Sequence, residues 1–147
     1  MPGLAAEWFR YAFQLFNVKN IPVRRIEILE NETAFAGRFK IRTVRDLLDG
    51  RDLVHELHKH DFFFVLALQK GSGHHEIDFT DYTICDNSIF ILRPGQVHRL
   101  ELQAGCTGFL MEFDASFYHP SDKISIQRLS KAINKNFCEL EVGRFNK

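Results

Sequence analysis

The run from His58 to Leu68 constrains this chain most. In an extended chain, side chains two apart share a face, so His58, His60, Phe62, Phe64, Leu66 and Leu68 point one way and Phe63, Val65 and Ala67 the other. Apolar residues on both faces mean that the segment is covered on both sides. We read one strand over about Leu57 to Leu68, followed by Gly71-Ser72-Gly73, whose glycines suit the positive backbone angles of a tight hairpin. The return strand alternates: His75, Ile77 and Phe79 face inward, and His74, Glu76 and Asp78 face outward. A turn at Thr80-Asp81, a strand over Tyr82–Cys85, a break at Asp86-Asn87-Ser88 and a strand over Ile89–Leu92 follow. Pro94-Gly95 then forces a corner that delivers His98, Leu100 and Leu102, and Phe109–Phe113 is the last strong strand. Short strands at steady spacing with Gly, Pro, Asp and Asn between them indicate a sandwich or barrel.

The flanks read differently. Leu4, Trp8, Ala12 and Phe16 recur at helical spacing, which predicts a helix over 4–16, and Ile21-Pro22 returns the chain to extended form. Two strands are expected around Ile26–Ile28 and Phe35–Ile41, joined near Asn31-Glu32, with one helical turn over Val44–Leu48 closed by Asp49-Gly50. Beyond the last strong strand, Ser121-Asp122 caps a helix carrying Ile126, Leu129 and Ile133, and Asn136 to Glu141 is extended. This divides the chain into an N-terminal helix (1–20), a β-barrel (21–115) and a C-terminal helical and extended segment (116–147) that reads as the start of something longer.

Composition removes several classes of function. Nineteen basic residues balance nineteen acidic ones, which argues against this chain gripping nucleic acid by itself. No apolar run reaches the ~18–20 residues of a membrane helix, and the first residues lack the pattern of a secretory signal. Three cysteines without a Cys-x-x-Cys pair read as reduced thiols in a cytoplasmic protein. Fifteen Phe supply a core, or a pocket wall, without needing hydrogen-bond partners.

The chemistry-bearing residues are histidines. His58-x-His60 places two imidazoles on one strand face, and the Pro94-Gly95 corner brings in His98. Two roles are open: hydrogen bonding within the barrel mouth, or ligation of a transition metal by neutral imidazole. The inward set His58, His60, Phe62, Phe64, His75 and His98, with Met111 from the last strand, is the candidate ligand-contacting group. Alternation against Met111 and Phe113 places Glu112 outward. Arg93 either meets an anionic effector or forms a surface ion pair. There is no nucleophile beside an obvious base, no phosphate-cradling glycine loop and no pair of catalytic carboxylates.

His58-x-His60, Gly71 and Pro94-Gly95-x-x-His98 resemble the two motifs of the cupin superfamily. The resemblance implies an all-β-dominated jelly-roll (double-stranded β-helix) barrel. In metal-dependent cupins these histidines and a Glu bind the metal, which would be Zn, Fe, Mn or Ni at His58, His60 and His98 here. The Glu falls at Phe64, and the Asn that often follows the last His falls at Leu102. Phe cannot ligate a metal, so no cofactor is expected. His60-Asp61-Phe62-Phe63, Gly71-Ser72-Gly73 and Ile89–His98 together are similar to the N-terminal ligand-sensing cupin domain of AraC-type bacterial transcription regulators, over about residues 23–145. That resemblance implies a small-molecule effector, a homodimer, and DNA binding only through a separate C-terminal pair of helix-turn-helix units. The expected function is therefore a non-enzymatic sensor, with a three-His metal-dependent dioxygenase or isomerase as the alternative.

Overall fold

A computed structural model describes residues 21–26, 39–114 and 135–139. The two predicted helices and the turn near Asn31-Glu32 lie outside those residues. In chain order the elements are β1 (Val23–Arg24), β2 (Phe39–Thr43), α1 (Val44–Leu48), β3 (Leu53–His60), β4 (Phe63–Lys70), β5 (Gly73–Ile77), β6 (Thr80–Ile84), β7 (Ser88–Leu92), β8 (Val97–Leu102), β9 (Thr107–Phe113) and β10 (Phe137–Glu139). They form two five-stranded sheets, β1-β3-β8-β5-β6 and β10-β7-β4-β9-β2. The sheets face each other across one core, with Ile77, Leu100 and Leu102 from the first meeting Leu66, Phe90 and Leu110 from the second. This is the jelly-roll architecture.

The strand read as continuous from Leu57 to Leu68 is two strands. Asp61-Phe62 is a corner at which the chain leaves the first sheet (β3) and enters the second (β4). The other corner of the site braces this one, because the Gly95 N–H donates to the His60 carbonyl at 2.8 Å. Parity survives the bend. His58, His60, Phe62, Phe64, Leu66 and Leu68 are all buried, each 5% exposed or less. A core shared by two sheets selects the same inward face before and after the turn.

The glycines of Gly71-Ser72-Gly73 do not make the expected hairpin, because β4 and β5 belong to opposite sheets. They permit close backbone approach instead. A Cβ on Gly73, where φ is +138°, would lie 2.0 Å from the Glu101 carbonyl oxygen. The tight hairpin lies one step later. Asp78 and Phe79 both take positive φ (48° and 65°) between the paired ends Ile77 and Thr80, as a two-residue turn matched to strand twist requires. The turn expected at Thr80-Asp81 is thus shifted, and Phe79 is 36% exposed instead of inward. His75 and Ile77 are fully buried, with His74 exposed, as alternation requires.

The predicted helical turn forms as α1. Thr43 caps it by accepting the Asp46 N–H at 3.1 Å, and Asp49 ends it in the left-handed region. The extended segment after Asn136 forms β10, antiparallel to β7, with Phe137 against Phe90 at 4.9 Å between ring centroids.

Two glycine substitutions separate steric from conformational effects. Gly105 has φ +93° but open space where a Cβ would go, so Gly105→Ala is expected to cost about 1–2 kcal/mol. Gly73→Ala must also displace the Glu101 carbonyl and is expected to cost ~2 kcal/mol more. Urea-denaturation midpoints check this; equal losses would contradict the close approach.

Candidate functional site

Four histidines from three neighbouring strands meet in the interior. β3 supplies His58 and His60, β8 supplies His98 and β5 supplies His75, all 5% exposed or less. The register places His58 beside His98 and His98 beside Ile77, two residues from His75. The His58 Nδ1 lies 2.5 Å from the Glu56 carbonyl oxygen. His60 Nε2 lies 3.2 Å from His58 Nε2 and 2.8 Å from His98 Nε2, and His98 Nδ1 lies 2.9 Å from His75 Nε2.

These contacts fix the proton positions for neutral rings. A carbonyl only accepts, so His58 carries its proton on Nδ1 and offers a lone pair at Nε2. His60 must then donate from Nε2, shared between His58 and His98. His98 accepts at Nε2 and donates from Nδ1 to His75. That leaves His60 Nδ1 as an acceptor and His75 Nδ1–H as a donor, and these two atoms are buried without a partner. Neutrality is enforced by surroundings. Burial first, then the charge of neighbouring His58 and Arg24, lowers His60 to about 3, and burial followed by His58 lowers His75 to about 3. Burial likewise depresses His58 and His98.

Aromatic rings hold the cluster in place. His60 lies between Phe62 and Phe64, at 4.4 and 5.2 Å between centroids, and is nearly parallel to the latter at 13°. Phe64 also meets His98 at 5.2 Å, bridging the sheets. Beyond these rings lies a cavity of about 620 Å³, whose wall includes His55, His60, Phe62, Phe64 and Leu110. The same wall carries Arg24, Arg25, Lys40, Arg42 and Glu112. A second concavity, of about 570 Å³, is lined by residues including Arg45, Ala67, Ile89 and Phe109, and takes none of the histidines.

Of the predicted site residues, His58, His60, Phe62, Phe64, His75 and His98 are brought together. Met111 is not. Leu110 and Glu112 line the cavity, so Met111 between them points to the outer side, where its register partner Ile41 is 52% exposed. Glu112, expected outward, has a side chain only 12% exposed, lies directly across from Phe64 and pairs with Arg42 at 3.5 Å. Strand pairing with β4 decided the face of β9; the apolar alternation Phe109-Met111-Phe113 suggested the reverse. Arg93 is not part of the cavity wall; its backbone N–H donates to Gln96 Oε1 at 2.8 Å.

His55 was missed. By parity it opposes His58 and His60, but the β3–β8 register shifts between His55 and His58, so Leu53 and His55 are also partly buried. Burial, then Arg24, lowers His55 to about 4. The signal available was the parity break itself, with Leu53, His55 and Leu57 odd and His58 and His60 even.

The family model of the AraC-like ligand binding domain matches residues 47–140. No curated protein matches.

The histidines make stability depend on pH. Each has a folded pKa below the ordinary 6.5, so the unfolded chain binds protons that the folded one refuses. Their contribution is complete above about pH 6.5 and lost as pH falls toward 3. Each of His60 and His75 is expected to add up to ~1.4 kcal/mol per pH unit to that loss. Unfolding free energies at pH 7.5 and 5.0 check it, and a His75→Gln variant should flatten the slope. An unchanged slope would contradict a neutral buried His75.

Proposed function

Since the chain belongs to the AraC-like ligand binding domain family, we propose that it is the sensing domain of an AraC-type transcription regulator and catalyses no reaction itself. The observation carrying this reading is the cavity itself, where His60, Phe62 and Phe64 meet charged side chains from neighbouring strands beside a neutral imidazole network. A small-molecule effector entering there stacks on Phe62 and Phe64 and bonds the unpartnered polar atoms of the wall. His60 joins the first sheet to both corners of the site, so effector contact at His60 reaches the Pro94-Gly95 corner through the Gly95–His60 hydrogen bond. Signalling then consists of different affinities for two arrangements of the elements around the barrel. The domain works as a homodimer, in the cytoplasm, and reaches DNA only through helix-turn-helix units in a longer chain. Cys85, Cys106 and Cys138 are free thiols, and among the described residues no helix is long and apolar enough to cross a membrane.

A second reading rests on a specific observation: among the described residues, His58, His60 and His98 present ligand atoms within 4.8 Å of one another. The donor set fits Zn, Fe, Mn or Ni in part. The separations of 3.2 and 2.8 Å are near the ~3 Å between neighbouring nitrogens bound to one ion at 2.0–2.1 Å. His58 is oriented by Glu56 and His98 by His75, as ligating histidines are. His60 has no such support, and Phe64 stands where metal-dependent cupins place a carboxylate. A bound ion would supply Lewis-acid or redox chemistry; His58, His60 and His98 would hold it, and Phe62 and Phe64 would exclude water. This reading gives the metal-dependent dioxygenase or isomerase.

Two measurements distinguish the readings. In a thermal-shift screen of metabolites, the sensor reading expects a true effector at a hundred times its Kd to add about 2.7 kcal/mol, unchanged by chelator. A screen without a hit, together with turnover of a substrate, would overturn it. Nitrogen-15 NMR of the imidazoles at pH 7 should show His60 protonated on Nε2. A His60 protonated on Nδ1, with a stoichiometric metal lost in His98→Ala, would establish the second reading.

A further inference from the structure

We propose that the effector of this cavity is an organic anion, a carboxylate on an apolar body, with its charge held by Arg42, Arg24 and Lys40. The inference rests on the reading of the cavity as the effector site and names the chemical class it takes. Over the whole chain, acidic and basic residues cancel. Among the described residues of the cavity wall they do not, because Arg24, Arg25, Lys40 and Arg42 face one carboxylate, that of Glu112. Arg25 lies 3.8 Å from Asp61, outside the wall, so among the described residues four cations stand against two carboxylates, an excess of two positive charges. Glu112 is already engaged, at 3.5 Å from Arg42 Nη2 and in register with Lys40.

Arg42 has capacity left over. Its Nε is buried without a partner, and a guanidinium presents Nε and Nη together as a fork that matches the two oxygens of a carboxylate. The imidazoles beside it are neutral and add no charge. Arg24 is among the groups holding His55 and His60 neutral, and Arg42 among those acting on His55, so this end of the cavity lies in a positive field. Leu47, Phe62, Phe64 and Leu110 supply the rest of the wall. An apolar body therefore gains from burial there. A cationic effector would meet an excess of like charge, and a polyol would leave hydroxyls against aromatic rings.

Matched probe pairs on the full 147-residue chain test the proposal: 3-phenylpropanoate against 3-phenylpropanamide, and hexanoate against hexanamide, by calorimetry. Each carboxylate is expected to bind at least tenfold tighter than its amide, with the advantage shrinking between 50 and 500 mM salt. Arg42→Gln should abolish the advantage of each carboxylate over its own amide. If that variant fails to fold, Lys40→Gln should reduce the advantage about threefold. Equal binding within pairs, a preference for the matching amines, or binding only by neutral compounds of a wider set would overturn the anion inference and leave the effector reading standing. Binding by no compound of any class would overturn both.

Discussion

The interior of this domain depends on burying imidazoles that bond one another and, through His58, the Glu56 carbonyl. A buried polar group without a partner costs about 1–3 kcal/mol, so His58, His60, His98 and His75 are tolerable in an apolar core only as a connected chain. Each link then limits the next. The Glu56 carbonyl sets the proton on His58, His58 sets the donor on His60, and His98 passes the same polarity to His75. The chain crosses β3, β8 and β5, so the register of those strands and the proton arrangement of the site are one constraint.

The corners exist to serve it. At Asp61-Phe62 the chain passes from one sheet to the other while keeping the same face inward, so polar His58 and His60 are followed directly by Phe62 and Phe64 lying against them. The Pro94-Gly95 corner returns the chain to set His98 beside them, and Gly95 bonds the His60 carbonyl on the way. Phe64 closes the arrangement. Its ring stacks on His60 and meets His98. The polar chain and the cavity therefore share a wall, with His60 belonging to both.

Much of this was legible in the residue order. Inward parity from His58 to Leu68 held across an unforeseen bend, because both sheets bury the same core. The His75–Ile77 face, the capped turn α1, the strands on either side of Pro94-Gly95 and the extension after Asn136 formed as local pattern required. The failures share one cause. Gly71-Ser72-Gly73 looked like a hairpin because glycine permits both a turn and a close approach, and only the neighbouring Glu101 carbonyl distinguishes them. Glu112 and Met111 exchanged faces because β4 and β2 set the register of β9, against a local alternation that favoured the opposite choice.

The amino-acid order by itself determined the β class and the inward placing of His58, His60, Phe62, Phe64, His75 and His98. Those are properties of period, residue type and position along one strand. The tertiary structure alone decided that His55 turns inward past a shift in strand register, that Glu112 faces the cavity with Arg42, and that Arg24 and Lys40 stand near them. These residues lie on β1, β2, β3 and β9, and only pairing between strands, which no single segment encodes, brings their side chains to one wall.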